Sequence, residues 1–179
     1  MGGFWQRLRA ALGRDKDAPQ QAGSRNRPAG EPALPGGGRG RSGAAADREV
    51  QKLVQGLRHA DPNVRAAAAR KLGELGARAG PSAVPALVEA LADEDDGVRS
   101  SAALSLGVFG VQAAAAVPAL VKALGDPDDD VRSSAGIALE DIGPPARASL
   151  TEALSHPNSL VRTEAAIILR QLEAEGEDA

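Results

Sequence analysis

A chain of 179 residues with 42% apolar and 25% charged side chains has the length of one ordinary domain with a tail, and its 37 alanines beside three aromatics favour closely packed helices around an aliphatic core. It has no cysteine, which excludes disulfide frameworks, thiolate metal sites and cysteine nucleophiles, and no run of about 18 apolar residues reads as a membrane span. The net charge of −3 divides into +4 over residues 1–47 and −7 over residues 48–179, so the body is acidic and lacks the basic, aromatic footprint of a nucleic-acid binder.

In chain order, residues 3–14 come first, with Phe4, Trp5, Leu8, Ala11 and Leu12 on one helical face and Arg7 and Arg14 on the other. Residues 1–14 are therefore expected to form a short basic amphipathic helix. Phe4, Trp5, Leu8 and Leu12 are its candidate tether, an anchor for an apolar groove of a partner or for an anionic membrane surface. Folding back onto the body is the alternative, since three turns of helix are marginal in water without a partner. Residues 15–46 alternate Gly, Pro and charge with Leu34 as the one sizeable apolar side chain, and are expected to be a disordered linker.

From residue 47 the chain repeats itself. Four segments align on a Val-Arg pair, at Val64, Val98, Val131 and Val161, and each Val is preceded by two leucines in register: Leu53 and Leu57, Leu87 and Leu91, Leu120 and Leu124, Leu150 and Leu154. After each Val the columns continue with Ala68, Ala102, Ala135 and Ala165, then Leu72, Leu106, Leu139 and Leu169, then Leu75, Phe109, Ile142 and Leu172. Those offsets draw one apolar stripe along an α-helix. Each unit reads as a short helix A, a turn and a longer helix B, with repeats at about 47–76, 82–110, 114–143 and 145–173 in a body of 47–174, before an acidic tail at 175–179. Asp61 before Pro62, and Asp126 before Pro127, read as N-caps followed by Pro in the first helical position. Gly76, Gly110 and Gly143 read as left-handed C-terminal caps.

These Val-Arg, Ala and Leu columns, with Val-Pro-Ala-Leu-Val at Val84–Val88 and Val117–Val121, resemble the short HEAT-like repeats of the phycobilisome-lyase-like class. The resemblance spans about residues 48–174 and implies an all-α fold, a right-handed α-solenoid of about four helix pairs with a disordered N-terminal extension. The Trp and Tyr positions of tetratricopeptide repeats and the Thr-Pro-Leu-His of ankyrin repeats are missing. Most members of such a class are scaffolds and a few are enzymes, so the resemblance leaves two functions in view: a non-catalytic protein interaction scaffold, or a subunit of a phycobilin-lyase-like or cofactor-maturation complex.

Several side chains are candidates for contact with a partner. The column Arg65, Arg99, Arg132 and Arg162 is either a ladder of anion contacts or, the favoured reading, a set of ion pairs with acidic turn residues that stitches the stack. The acidic runs Asp93, Glu94, Asp95, Asp96 and Asp128, Asp129, Asp130 stand at equivalent turns, where they either cap helices or form a ridge for a basic peptide or a divalent cation, although neither run fits the calcium-loop pattern. Ser100, Ser101, Ser133 and Ser134 are expected on the small-residue face of the B helices, with no His or Lys base beside them to make a nucleophile. HEAT-like hydroxylases use His-Glu pairs, and here His59 precedes Ala60 and His156 precedes Pro157. No catalytic, cofactor-binding or metal-binding set is identified, and no cofactor is expected. Arg70 stands where later repeats carry Leu104, Ile137 and Ile167, a polar N-terminal cap, while the end bearing Ile167 calls for cover by residues 1–14 or by another protein. The expected partner is a protein or peptide of basic charge, with nucleic acid disfavoured. The expected location is the cytoplasm, with peripheral attachment to a membrane as the alternative.

Overall fold

The computed structural model describes residues 39–80 and 82–177, with side chains within 46–174. Over this span there are eight α-helices and no strand: α1 (Arg39–Gly56), α2 (Pro62–Leu75), α3 (Ala83–Ala90), α4 (Asp96–Phe109), α5 (Val117–Ala123), α6 (Asp129–Ile142), α7 (Arg147–Ala153) and α8 (Ser159–Glu177). They form four antiparallel pairs in which α1, α3, α5 and α7 are the A helices and α2, α4, α6 and α8 the B helices. The 15–46 linker expectation meets α1, which starts at Arg39 and draws on Ala44, Ala45 and Ala46 as strong helix formers. The amphipathic helix expected at residues 1–14 lies outside the described residues.

Each B helix opens on the residue three before its Val. Asp61, Asp95, Asp128 and Asn158 take the cap position, and their side chains accept from the backbone N–H of Asn63 (2.9 Å), Val98 (3.1 Å), Asp130 and Val131 (3.0 Å each) and Leu160 (2.9 Å). Pro62 follows its cap in the first helical turn. The Asp126-Pro127 pair departs from the expected reading, because the cap of α6 is Asp128 and Asp126 turns away to an arginine of the preceding repeat. The C-terminal glycines also differ from the αL expectation. Gly76, Gly110 and Gly143 have φ of 51°, 54° and 74° with ψ near −135°, a mirror-image extended conformation that only glycine adopts without strain. That geometry turns the chain into the short 3-10 segments Gly76–Ala79, Gly110–Ala116 and Pro144–Ala146, which lead to the next A helix.

The apolar columns form one continuous core. Leu72, Leu87, Leu106, Leu120, Leu139 and Leu150 are fully buried, and Phe109, Ile142 and Leu172 close the stripe at 5% exposure or less. The segment Asp96–Ala123 reaches a mean hydropathy of 1.8 over its most apolar stretch, but the turn at Gly110 splits it into α4 and α5, so no single helix there is long enough to cross a bilayer. Side-by-side packing of the B helices depends on small residues. A Cβ on Gly73 would lie 2.6 Å from Oγ of Ser105, and one on Gly107 would lie 3.0 Å from the backbone Cα of Ala138. Glu140 takes the same column of α6, and α6 and α8 meet over a shorter stretch than α2 with α4 or α4 with α6.

Candidate functional site

Among the described residues, polar chemistry concentrates along the row of turns joining each A helix to its B helix. Arg65 is buried there, its Nη1 bonded to the carbonyls of His59 and Ala60 at 2.9 and 3.1 Å. Its Nε and Nη2 form a two-pronged pair with Asp93 of the next repeat, both at 2.8 Å. Arg99 repeats the arrangement one unit on, with Nη1 on the carbonyls of Asp93 and Glu94 and the fork on Asp126 at 2.9 Å twice. Each acceptor also takes a backbone N–H two residues ahead, Asp95 on Asp93 and Asp128 on Asp126, at 3.0 Å. One carboxylate thus shapes its own turn and locks the previous repeat onto it.

Charge follows from this geometry. Burial opposes ionisation of Asp93, but the hydrogen bond from Arg65, the N–H of Asp95 and the charges of Arg65 and Arg99 outweigh it and hold the carboxyl below the ordinary carboxylate range. Burial likewise opposes ionisation of Asp126, which is held low by Arg99, by the N–H of Asp128 and by the charge of Arg132. The hydrogen bonds to Asp93 and Asp126 raise the pKa of Arg65 and Arg99 in turn.

The column that holds Asp93 and Asp126 holds His59 and His156 in the outer repeats. There Nδ1 of each imidazole accepts the N–H of Asp61 (3.0 Å) and Asn158 (3.1 Å), so the turn keeps its shape without a carboxylate. The consequence appears at the third junction. Arg132 grips the carbonyls of Asp126 and Pro127 like its counterparts, finds His156 instead of Asp ahead of it, and pairs with Asp129 of its own turn. Arg162 holds the carbonyls of His156 and Pro157 at 2.8 and 2.9 Å.

The acidic runs are therefore divided. Asp93 is drawn inward to Arg65, Asp95 and Asp128 are helix caps, and Asp96 accepts the N–H of Gly97 at 2.8 Å while remaining exposed. Glu94, Asp96, Asp129 and Asp130 face outward, with the side chains of Glu94 and Asp129 at 88% and 86% exposure. The serines expected on the face of the B helices are divided too. Ser101 and Ser134 are buried, because the close approach of the helices leaves a hydroxyl between them its only room: Ser100 and Ser134 share a hydrogen bond at 2.9 Å, and Ser101 accepts from Arg70 at 3.3 Å. Ser100 and Ser133 are half-buried. Ser105, not singled out above, is the more consequential hydroxyl, donating to the carbonyl of Ala69 at 2.8 Å beside Gly73.

A cavity of about 260 Å³ opens between α1 and α3, lined by Val54, Leu57, Ala86 and Ala90 with the Arg58–Glu89 ion pair (3.0 Å) among its walls. Among the described residues, no group of three or more His, Asp or Glu is placed to hold a metal ion. Phe109 is buried in the core. Phe4, Trp5, Leu8 and Leu12 lie outside the described residues.

The chain is similar to several solved structures. Human deoxyhypusine hydroxylase matches with a TM-score of 0.62 and 29% identity over 76% of this chain and 48% of that one. An engineered protein matches with a TM-score of 0.51 and 29% identity over 69% of this chain and 62% of that one. The CpcE–CpcF complex of phycocyanin lyase from Nostoc matches with a TM-score of 0.49 and 22% identity over 71% of this chain and 88% of that one. The chain thus spans about half to three fifths of the length of the first two. A comparison with curated proteins finds no match. The family model for HEAT repeats matches residues 50–140 and 117–179, which together take in the described repeats from α1 onward, and the chain belongs to the HEAT-repeat family.

Proposed function

We propose that this protein is a non-catalytic scaffold that holds a protein partner of basic charge along its row of turns. One observation carries the reading. Arg65 and Arg99 engage Asp93 and Asp126 and the caps take Asp95 and Asp128, which leaves Glu94, Asp96, Asp129 and Asp130 facing outward at the exposed ends of adjacent turns, Glu94 and Asp129 while each also touches an arginine of the stack, Arg65 and Arg132. A row of like charge on a rigid stack attracts a basic segment and sets its direction. The buried serines and the turn-capping histidines support the same reading, since the serine hydroxyls and the Nδ1 atoms of His59 and His156 are engaged in packing and capping. Residues 1–14 act as the tether, placing the repeats beside the partner or the membrane to which Phe4 and Trp5 anchor. The protein works in the cytoplasm in this scheme.

The test is charge reversal of Glu94, Asp96, Asp129 and Asp130 to Lys in the full chain, followed by capture from extract of its own cells and identification of what is held. The reading expects a basic partner retained by the unmodified chain at low salt, released as salt rises, and lost by the variant with its helix content unchanged. A partner held equally by both proteins overturns the acidic edge.

A further inference from the structure

The outward side of the fourth repeat keeps the Leu, Ala and Arg columns that join the first repeat to the second and the second to the third, and departs from them at Arg170, which stands in the column of Gly73 and Gly107. Leu57, Leu91 and Leu124 end the first three A helices at 7%, 8% and 0% exposure, whereas their counterpart Leu154 is 43% exposed. Ala69 and Ala103 are fully buried and Ala166 in the same column is exposed, while Ile167 stands at 47% where Leu104 is half-buried and Ile137, at the third junction, is at 9%. Thr151 replaces the Val of the earlier repeats, and its hydroxyl is already given to the carbonyl of Arg147 at 2.8 Å.

The polar half of the junction is present as well. Nη1 of Arg162 rests on two turn carbonyls as do those of Arg65 and Arg99. In those two arginines Nε and Nη2 reach the Asp of the next repeat, and among the described residues the same two nitrogens of Arg162 have no partner. An arginine held on its own turn through Nη1, with Nε and Nη2 still to be engaged, is half of a clamp.

We propose that this face is a docking surface for one further helix pair of the same kind, presented by a partner protein, with a carboxylate in its inter-helix turn that Arg162 grips. The chemistry selects this occupant over two others. A second copy stacking head to tail would bring its first repeat, which offers His59 where Asp is needed and the exposed Lys71–Glu74 ion pair where internal repeats bury Ser105 or Ala138. Residues 1–14 carry Arg7, Arg9 and Arg14 and no acid, so they would set cations against Arg162 and Arg170. The proposal rests on the scaffold reading but not on its acidic edge.

The test appends a copy of residues 82–110, whose Asp93 natively takes an arginine fork, to the end of the full chain through a flexible Gly/Ser linker, with a photo-cross-linking residue at position 167. The proposal expects cross-links into the appended copy and a raised melting temperature. Arg162→Gln, or Asp93→Asn in the appended copy alone, removes the added stability, and the two together remove no more than either. The docked fraction falls about tenfold or more in each, the equivalent of one charge-assisted pair. Cross-links to a second molecule, to residues 1–14 or to neither, or a gain indifferent to Arg162→Gln, overturn it. Reversal of Glu94, Asp96, Asp129 and Asp130 leaves this docking unchanged, so failure here and failure of the acidic edge are told apart.

Discussion

The Arg–Asp clamp gives the individual residues their roles, and its energetics are open to direct measurement. Asp126→Asn keeps the acceptor for the N–H of Asp128 and removes the charge under the fork of Arg99, for an expected loss of about 1–2 kcal/mol once partial screening by water is allowed for. Urea unfolding followed by circular dichroism reads that loss. Asp93 and Asp126 have lowered folded pKa values, so the unfolded chain takes up protons on them first as pH falls. Their contribution is therefore complete above the unfolded carboxylate value of about 3.9 and is lost as pH drops through the lower folded values. Stability measured down from neutral pH should hold until about pH 4 for these two groups and then fall, and Asp93→Asn with Asp126→Asn should flatten that fall. His156→Asp is the complementary gain. It offers the turn the same acceptor that Asp93 and Asp126 provide and gives Arg132 the carboxylate it lacks, for an expected increase of about 1 kcal/mol.

At the scale of the helices, stacking is decided by how near one B helix comes to the next. Gly107→Ala places a methyl 3.0 Å from the backbone of Ala138, where the partner helix itself must move, and should cost about 1–3 kcal/mol. Gly136→Ala is the control in the same layer. Its new Cβ would meet only Cδ1 of Ile168 at 3.8 Å, an ordinary contact, so the better helix propensity should stabilise the chain by up to about 1 kcal/mol. Thermal unfolding of the two variants should shift in opposite directions, and a rise in both would show that helix propensity, not close approach, governs this layer. The apolar columns, the cap Asp61 and the four-unit order were legible in the sequence because each is a local pattern of fixed spacing, whereas Asp95 and Asp128 stood in acidic runs that spacing alone left between capping and a partner ridge. The contacts of Gly73 with Ser105 and of Gly107 with Ala138 were not, since they depend on the register between two helices that no spacing within one helix records. Asp126 misled for a related reason: Asp followed by Pro imitates a cap, and only the reach of Arg99 across the repeat boundary shows its other use.

Over the whole array these local differences add up to unequal junctions. The first and second carry both an Arg–Asp clamp and a glycine approach, whereas at the third Arg132 turns to Asp129 and Glu140 replaces the glycine. In a stack whose units touch only their neighbours, a weaker junction lowers the cost of opening everything beyond it. Amide hydrogen exchange along the full chain, compared with His156→Asp, reads this inequality between junctions directly. Slow exchange is expected through α2, α4 and α6, faster exchange through α7 and α8, and a slowing confined to α7 and α8 when Asp replaces His156. Equal protection across all four repeats, or no change in α7 and α8 on that replacement, would contradict it.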